Sequence, residues 1–185
     1  MSLQVNINAG TMPSHQIVAA DIVVQHARSL GNPNASQALA ITEPICRVDQ
    51  TGLQYEQRQI QGRIEFRFLT GVLQLTLRQD IFIANNISDC AQNIWLEHEQ
   101  EHVRDNQGIM GRMDQAIRAH RDLQNILISP IWRPRSDFNK VQGKIQSTVD
   151  DIFREFTHEA VLSRDTSAVY SSIQDRIRRQ CNNNE

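Results

Sequence analysis

An α+β fold, with a small antiparallel sheet in the N-terminal half packed on a mostly helical C-terminal half, is what this sequence predicts, on three observations. Polar and apolar residues alternate from Arg63 to Phe68 and again from Leu73 to Arg78, the period of half-buried strands. From Ser88 onward the apolar spacing changes to three and four, the period of a helix face. The chain has 185 residues, 39% of them hydrophobic, and a formal net charge of -2. That length buries a core without staples, so one domain over residues 1–185 is expected: an N-terminal arm over 1–35, a strand-rich part over 38–84 and a helical part over 87–180.

The near-neutral charge gives no sign of a nucleic-acid partner and none is expected, and the small basic cluster Arg176, Arg178, Arg179 reads as a solvated helix face. The longest apolar runs are far too short to span a membrane. Met1-Ser2-Leu3-Gln4 lacks the charged and apolar parts of a secretory signal. A secreted or periplasmic protein is favoured if a signal has been removed before it, and a cytoplasmic one otherwise. Cys46, Cys90 and Cys181 have no metal-like spacing, which leaves open one disulfide plus a free thiol or three buried thiols.

In chain order, His15 to Leu30 reads as an amphipathic helix or a strand-rich arm, with strand favoured for part of it by its β-branched residues. Gly31-Asn32-Pro33-Asn34 breaks it. Strands are expected around Cys46 and Val48, with a turn over Asp49 to Gly52. Ile64, Phe66 and Phe68 then alternate with charged residues, Leu69-Thr70-Gly71 turns the chain, and Leu73, Leu75 and Leu77 alternate again, the pattern of a hairpin. Asp80 to Ala84 adds a further strand.

The next helix carries Trp95-Leu96-Glu97-His98-Glu99-Gln100-Glu101-His102-Val103-Arg104-Asp105. Ser88 is its N-cap and Asp89 suits its first turn. Residues four apart lie one above the other, so His98 and His102 offer two imidazoles to one metal ion, with the Glu99 carboxylate beside it. Ala91, Ile94, His98, His102 and Asp105 share that face, and Asp105 is placed to accept a ring N–H of a ligating histidine. Ile109, Met113, Ala116, His120, Leu123 and Leu127 continue the spacing, with Gly108 and Gly111 as joints. Pro130 and Pro134 end this helix and make a rigid connector through Trp132.

A last long helix runs from about Asp137. Its stripe, Phe138, Val141, Ile145, Val149, Ile152 and Phe156, steps next to Glu159 and Ser163. A carboxylate where an apolar side chain is due is costly to bury unless paired or metal-bound, which makes Glu159 the candidate third ligand. His120, on an apolar stripe, and His158, off it, are its competitors. Tyr170 lies on the continued stripe, placed to donate to a developing oxyanion.

These features resemble the zincin metallopeptidases in their glutamate-ligand branch. The His-Glu-Gln-x-His run with Arg164-Asp165-Thr166 is also similar to a family of small bacterial secreted zinc-dependent proteases of uncharacterised function. The resemblance implies zinc on His98 and His102, Glu99 as general base, a peptide or protein substrate, and a substrate strand on the sheet edge near Leu73 to Ile83. Two departures stand out. The histidine-ligand branch calls for a third histidine where this chain has Gly108, which excludes that branch. The acid that follows the ligand glutamate in its own branch is due at position 163, which is Ser, and comes instead at Asp165. Two other readings compete. Glu99-x-x-His102 and Glu155-x-x-His158 are half of a di-metal carboxylate bundle, and a non-enzymatic α+β interaction domain or pseudo-enzyme holds no metal tightly.

Overall fold

The structure is a computed structural model that describes residues 3–32, 34–127 and 131–181, with the backbone alone at residue 70. It is α+β. Two short strands, β1 (Leu3–Asn8) and β2 (His15–Val18), lead into helix α1 (Ala20–Ser29). Two long strands follow, β3 (Ala40–Ile60) and β4 (Arg63–Ala84). The remainder is α2 (Asp89–Ala119), α3 (Arg121–Leu127), the two-residue β5 (Arg133–Pro134), α4 (Phe138–Arg164) and α5 (Ser167–Cys181). No helix among the described residues is long and apolar enough to cross a membrane. The reading of His15 to Leu30 resolves into both of its alternatives, strand then helix, and Gly31 ends the helix with φ of 73°.

The sheet is mixed rather than antiparallel. β4 is its centre, pairing with β3, β1, β2 and β5. β1 and β2 both run parallel to β4, Leu3 facing Gly71 and His15 facing Ile81 in register, whereas β5 is antiparallel to it. The N-terminal arm thus supplies two strands that alternation further along the chain could not reveal. It also closes the edge expected to receive a substrate strand: Leu73 to Thr76 pair with β1, and Ile81 to Ile83 with β2.

The turns expected over Asp49–Gly52 and Leu69–Gly71 do not form; both segments stay within strands. The chain reverses instead at Gln61 and Gly62, both at positive φ (50° and 77°), the two-residue geometry that matches strand twist. Gly52 and Gly71 face each other across the long pair. A Cβ on Gly71 would come within 2.5 Å of the Gly52 carbonyl oxygen, so these glycines serve close strand approach, not a turn. The expected joints at Gly108 and Gly111 are absent too, and α2 runs through both without a break. Pro134 lies in β5, and Pro130 is outside the described residues.

The chain divides into two compact units. One consists of β1, Cys46–Leu77 and Ile109–Glu155; the other consists of Gly10–Ile45, Arg78–Gly108 and the chain from Phe156 onward. In the first, Phe66 and Phe68 meet Phe138, Phe66 edge-on at 5.0 Å, and Leu73, Leu75, Met110 and Met113 are buried as well. Trp132 lies under the guanidinium groups of Arg58 (4.2 Å) and Arg67 (4.7 Å). In the second, Ile81, Ile83, Ile94, Trp95, Val103 and Ile173 form one core cluster. Val23, Ala27, Ala38, Ile41 and Ala84 form another beneath α1. A disulfide joins Cys90, at the start of α2, to Cys181, at the end of α5, and Cys46 is a buried free thiol.

Candidate metal centre

Every residue of the centre lies in the second unit, and most are brought in by α2. The Ser88 hydroxyl accepts the Ala91 N–H at 3.4 Å, opening the helix where the sequence places its cap. Trp95, 1% exposed, then fixes the helix rotation by packing into the core cluster with Ile81 and Ile83 of β4 and Ile173 of α5, its ring 5.5 Å from that of Tyr170. One turn beyond His102, buried Asn106 donates to Gln79 of β4 at 2.9 Å, and Gln79 donates in turn to the Val103 carbonyl. With α2 held on both sides of the motif, His98, Glu99 and His102 all point inward. All three are buried, and their ligating atoms lie within 4.8 Å of one another.

The third group at the imidazoles is Asp165. Its Oδ1 lies 2.9 Å from His102 Nε2 and 3.2 Å from His98 Nε2, and the two Nε2 atoms are 3.3 Å apart. Zinc bonds of ~2.0–2.1 Å in a tetrahedron put neighbouring ligand atoms about 3.3 Å apart. The three atoms therefore form a triangle of the size that one face of a zinc tetrahedron requires. Two imidazoles and one carboxylate oxygen are also a donor set that zinc accepts.

The short stretch Arg164-Asp165-Thr166 explains how Asp165 arrives. α4 ends at Arg164, whose guanidinium grips two carboxylates of α2, Glu101 at 2.6 Å and Asp105 at 2.9 Å. Asp165 still donates its N–H to the Val161 carbonyl at 2.8 Å, so the last helical turn sets its direction. Thr166 accepts the Val169 N–H and starts α5. One residue anchors the helix end, the next supplies the carboxylate, and the third caps the following helix. Asp105, expected as a partner of His102, instead holds Arg164.

Glu159 is not among these groups. The stripe of α4 is buried through Ile145, Val149 and Ile152, but Phe156 is only half-buried and Glu159 is exposed. An apolar face continues only as far as something covers it, so the periodicity overshoots where the helix leaves its packing partners. His158 and Glu155 are exposed as well, which leaves the second Glu-x-x-His pair outside any buried cluster. His120 lies between α2 and α3, in the first unit, with a buried Nδ1 that has no partner.

Around the ligands sits a shell that sequence reading missed. The buried Thr42 hydroxyl, near the start of β3, lies 2.8 Å from Glu99 Oε2, to which it donates. Asn32, 5% exposed, donates from Nδ2 to Asp165 Oδ2 at 2.7 Å and is also the hydrogen-bond partner of the Tyr170 hydroxyl. The Tyr170 ring is half-buried, 5.5 Å from Trp95 and 6.3 Å from His98. No spacing rule finds partners 57 and 133 positions away. A polar tetrad opened by a glycine was the only local hint.

Burial and charge oppose one another here. Burial raises the Glu99 pKa, and the two imidazoles and Thr42 recover only part of that rise. For His102, burial acts downward, but the Asp165 hydrogen bond and the Glu99 charge outweigh it, and the net shift is upward. Asp165 moves well below the usual carboxylate range, because the hydrogen bonds and charges of the two histidines exceed the effect of its burial. Tyr170 is raised by burial and by the Asp165 charge, which keeps its hydroxyl protonated as a donor.

Two cavities lie on either side of α5, one reaching His98 and the other reaching Tyr170. One of about 200 Å³ has His98 in its wall beside Ile94, Val169 and Ile173, with Glu97 and Arg176 paired at its rim. The other, about 440 Å³, is lined by polar side chains including Asn34, Gln37, Gln174 and Tyr170. In comparisons with known proteins the chain matches no family model, no curated protein and no solved structure, and the geometry of the centre is what a functional reading rests on.

Proposed function

We propose that the protein is a zinc-dependent hydrolase of peptide bonds, with His98, His102 and Asp165 as ligands and Glu99 as general base. The observation that carries this reading is the triangle of three ligating atoms at zinc spacing with a buried carboxylate beside it.

Zinc supplies Lewis acidity, lowering the pKa of a water toward neutrality and polarising a carbonyl. Glu99 accepts the proton of the attacking water. Its raised pKa suits it to keep that proton for the next step, the transfer to the leaving amine. Thr42 holds one carboxylate oxygen so that the other faces the reaction. Tyr170, protonated and tied to Asn32, its ring 6.3 Å from that of His98, is the donor for a developing oxyanion. The cavity with His98 in its wall gives room for substrate residues next to the centre.

The disulfide supports action outside the reducing cytoplasm, in a secreted or periplasmic setting. The test is incubation of zinc-loaded protein with a diverse peptide library, read by mass spectrometry, beside Glu99→Gln. The expected outcome is chelator-sensitive cleavage that falls by about 10²–10⁴ in the variant with its zinc retained. Cleavage that persists in the variant, or a wild type that holds zinc and cuts nothing in a library of folded and unfolded substrates, contradicts the reading.

A further inference from the structure

We propose that Asn32 is a positioning residue that restricts Asp165 to one ligating oxygen and so keeps the fourth metal position open. The inference rests on the zinc reading given above.

The carboxylate of Asp165 divides its two oxygens between different partners. Oδ1 faces the two imidazole nitrogens, while Oδ2 accepts the Asn32 amide at 2.7 Å. An aspartate with a free second oxygen can tilt until both contact the metal, filling the position that a water or a substrate carbonyl needs. A primary amide is suited to prevent this, because it donates without charge and does not titrate across the working pH range.

Asn32 is itself held rigidly. Its N–H donates to the Ala27 carbonyl at 3.0 Å, at the end of α1, and its Oδ1 accepts the Asn34 N–H at 2.8 Å. The positive φ of Gly31 sets the turn from which it projects. Asn34 adds a second tie, donating from its own amide to the Asp165 carbonyl at 3.0 Å. The same Asn32 side chain is the partner of the Tyr170 hydroxyl, so one amide orients both the third ligand and the nearest phenol. A buried amide with each polar group engaged, spent on a ligand 133 positions away, is the kind of outer support that metal centres depend on.

The experiment measures zinc affinity, by competition with a chromophoric chelator, for wild type, Asn32→Ala and the isosteric Asn32→Asp. It also records the visible d–d spectrum of the cobalt-substituted proteins and the melting of the zinc-free proteins. Both variants are expected to lose about 10- to 100-fold in zinc affinity. In Asn32→Ala the cobalt bands should weaken as well, since four-coordinate cobalt absorbs more strongly than five-coordinate. A purely structural role would lower melting and leave the spectrum of the bound metal unchanged. Wild-type affinity and an unchanged spectrum in Asn32→Ala overturn this proposal alone, and should that variant not fold, Asn32→Asp with wild-type affinity does the same. A wild type that binds no zinc overturns both this proposal and the zinc reading.

Discussion

Asp165 Oδ1 meets His102 Nε2 at 2.9 Å, although His102 lies on α2 and Asp165 in the link between α4 and α5, 63 positions away. Three separate devices bring them together: the packing of Trp95 on β4 and α5 that sets the rotation of α2, the Arg164 clamp at the end of α4, and the Asn32 amide on the second carboxylate oxygen. Each acts on a different element. The centre therefore fails by degrees, and the devices can be separated by mutation.

Arg164 is the clamp with the most to lose. It bridges Glu101 and Asp105, one turn apart on α2, and is about a third exposed, so its ion pairs add little to stability by themselves. Arg164→Ala is expected to cost about 1 kcal/mol of stability but to weaken zinc binding by roughly tenfold or more, since the neighbouring ligand loses its anchor. Arg164→Lys, with the charge but not the fork, should fall between the two. Chelator competition and urea unfolding on the same preparations check this. An alanine variant that loses stability and keeps wild-type zinc affinity would refute it.

Two glycines test the long hairpin and α4 in opposite directions. A methyl group on Gly71 would lie 2.5 Å from a backbone oxygen of β3, and relieving that overlap requires the strands to part. Gly71→Ala is expected to destabilise by about 1–3 kcal/mol. Gly143, exposed within α4, has open space at its Cβ position. Gly143→Ala should stabilise by about 0.5–1 kcal/mol through helix propensity. Urea titrations of the two variants are sufficient, and equal effects of the same sign would contradict the strand register.

The Cys90–Cys181 disulfide spans 91 positions and ties α5 to the start of α2. Its removal, by a mild reductant or by Cys90→Ala with Cys181→Ala, should cost about 2–5 kcal/mol. Alkylation of the unfolded, unreduced protein should label one cysteine, Cys46. Three labelled cysteines would show that the bond does not form.

Cys46 gives a prediction with a defined pH window. Burial, with the Asp150 charge next, pushes its thiol up from 9.0 to about 12. Above pH 9 the unfolded chain ionises there and the fold does not, so stability is full below that pH and is lost as the pH rises toward 12. The slope due to this thiol is about 1.4 kcal/mol per pH unit at most. Cys46→Ala should flatten the alkaline loss in urea titrations at pH 9 to 11, and an unaltered slope would mean that the thiol ionises in the fold.

Local periodicity made part of this molecule legible and tertiary contact hid the rest. The spacing of His98 and His102, and the strand alternation at Phe66 and Phe68 and from Leu73 to Leu77, are properties of neighbours in sequence, and both reappear in three dimensions, although Ile64 is exposed. The turns were misplaced because glycine marks close approach as readily as reversal: Gly52 and Gly71 looked like loop residues, while the reversal fell at Gln61-Gly62. The apolar stripe that points to Glu159 runs past the point where α4 is covered. Asp165 lies just beyond the helix, where periodicity has nothing to say. Its usable signal was chemical: an arginine, an acid and a capping threonine in succession, with two acids one turn apart on the motif helix to receive the arginine. Thr42 and Asn32 had no such signal.

The most direct test of the three-ligand centre is zinc content by elemental mass spectrometry on protein purified without chelator and then offered zinc, for wild type, His98→Ala, Asp165→Ala and Glu159→Ala. About one zinc per chain is expected in wild type and in Glu159→Ala, with strong loss in the other two. No zinc in the wild type, or zinc kept in Asp165→Ala and lost in Glu159→Ala, would contradict the centre described here.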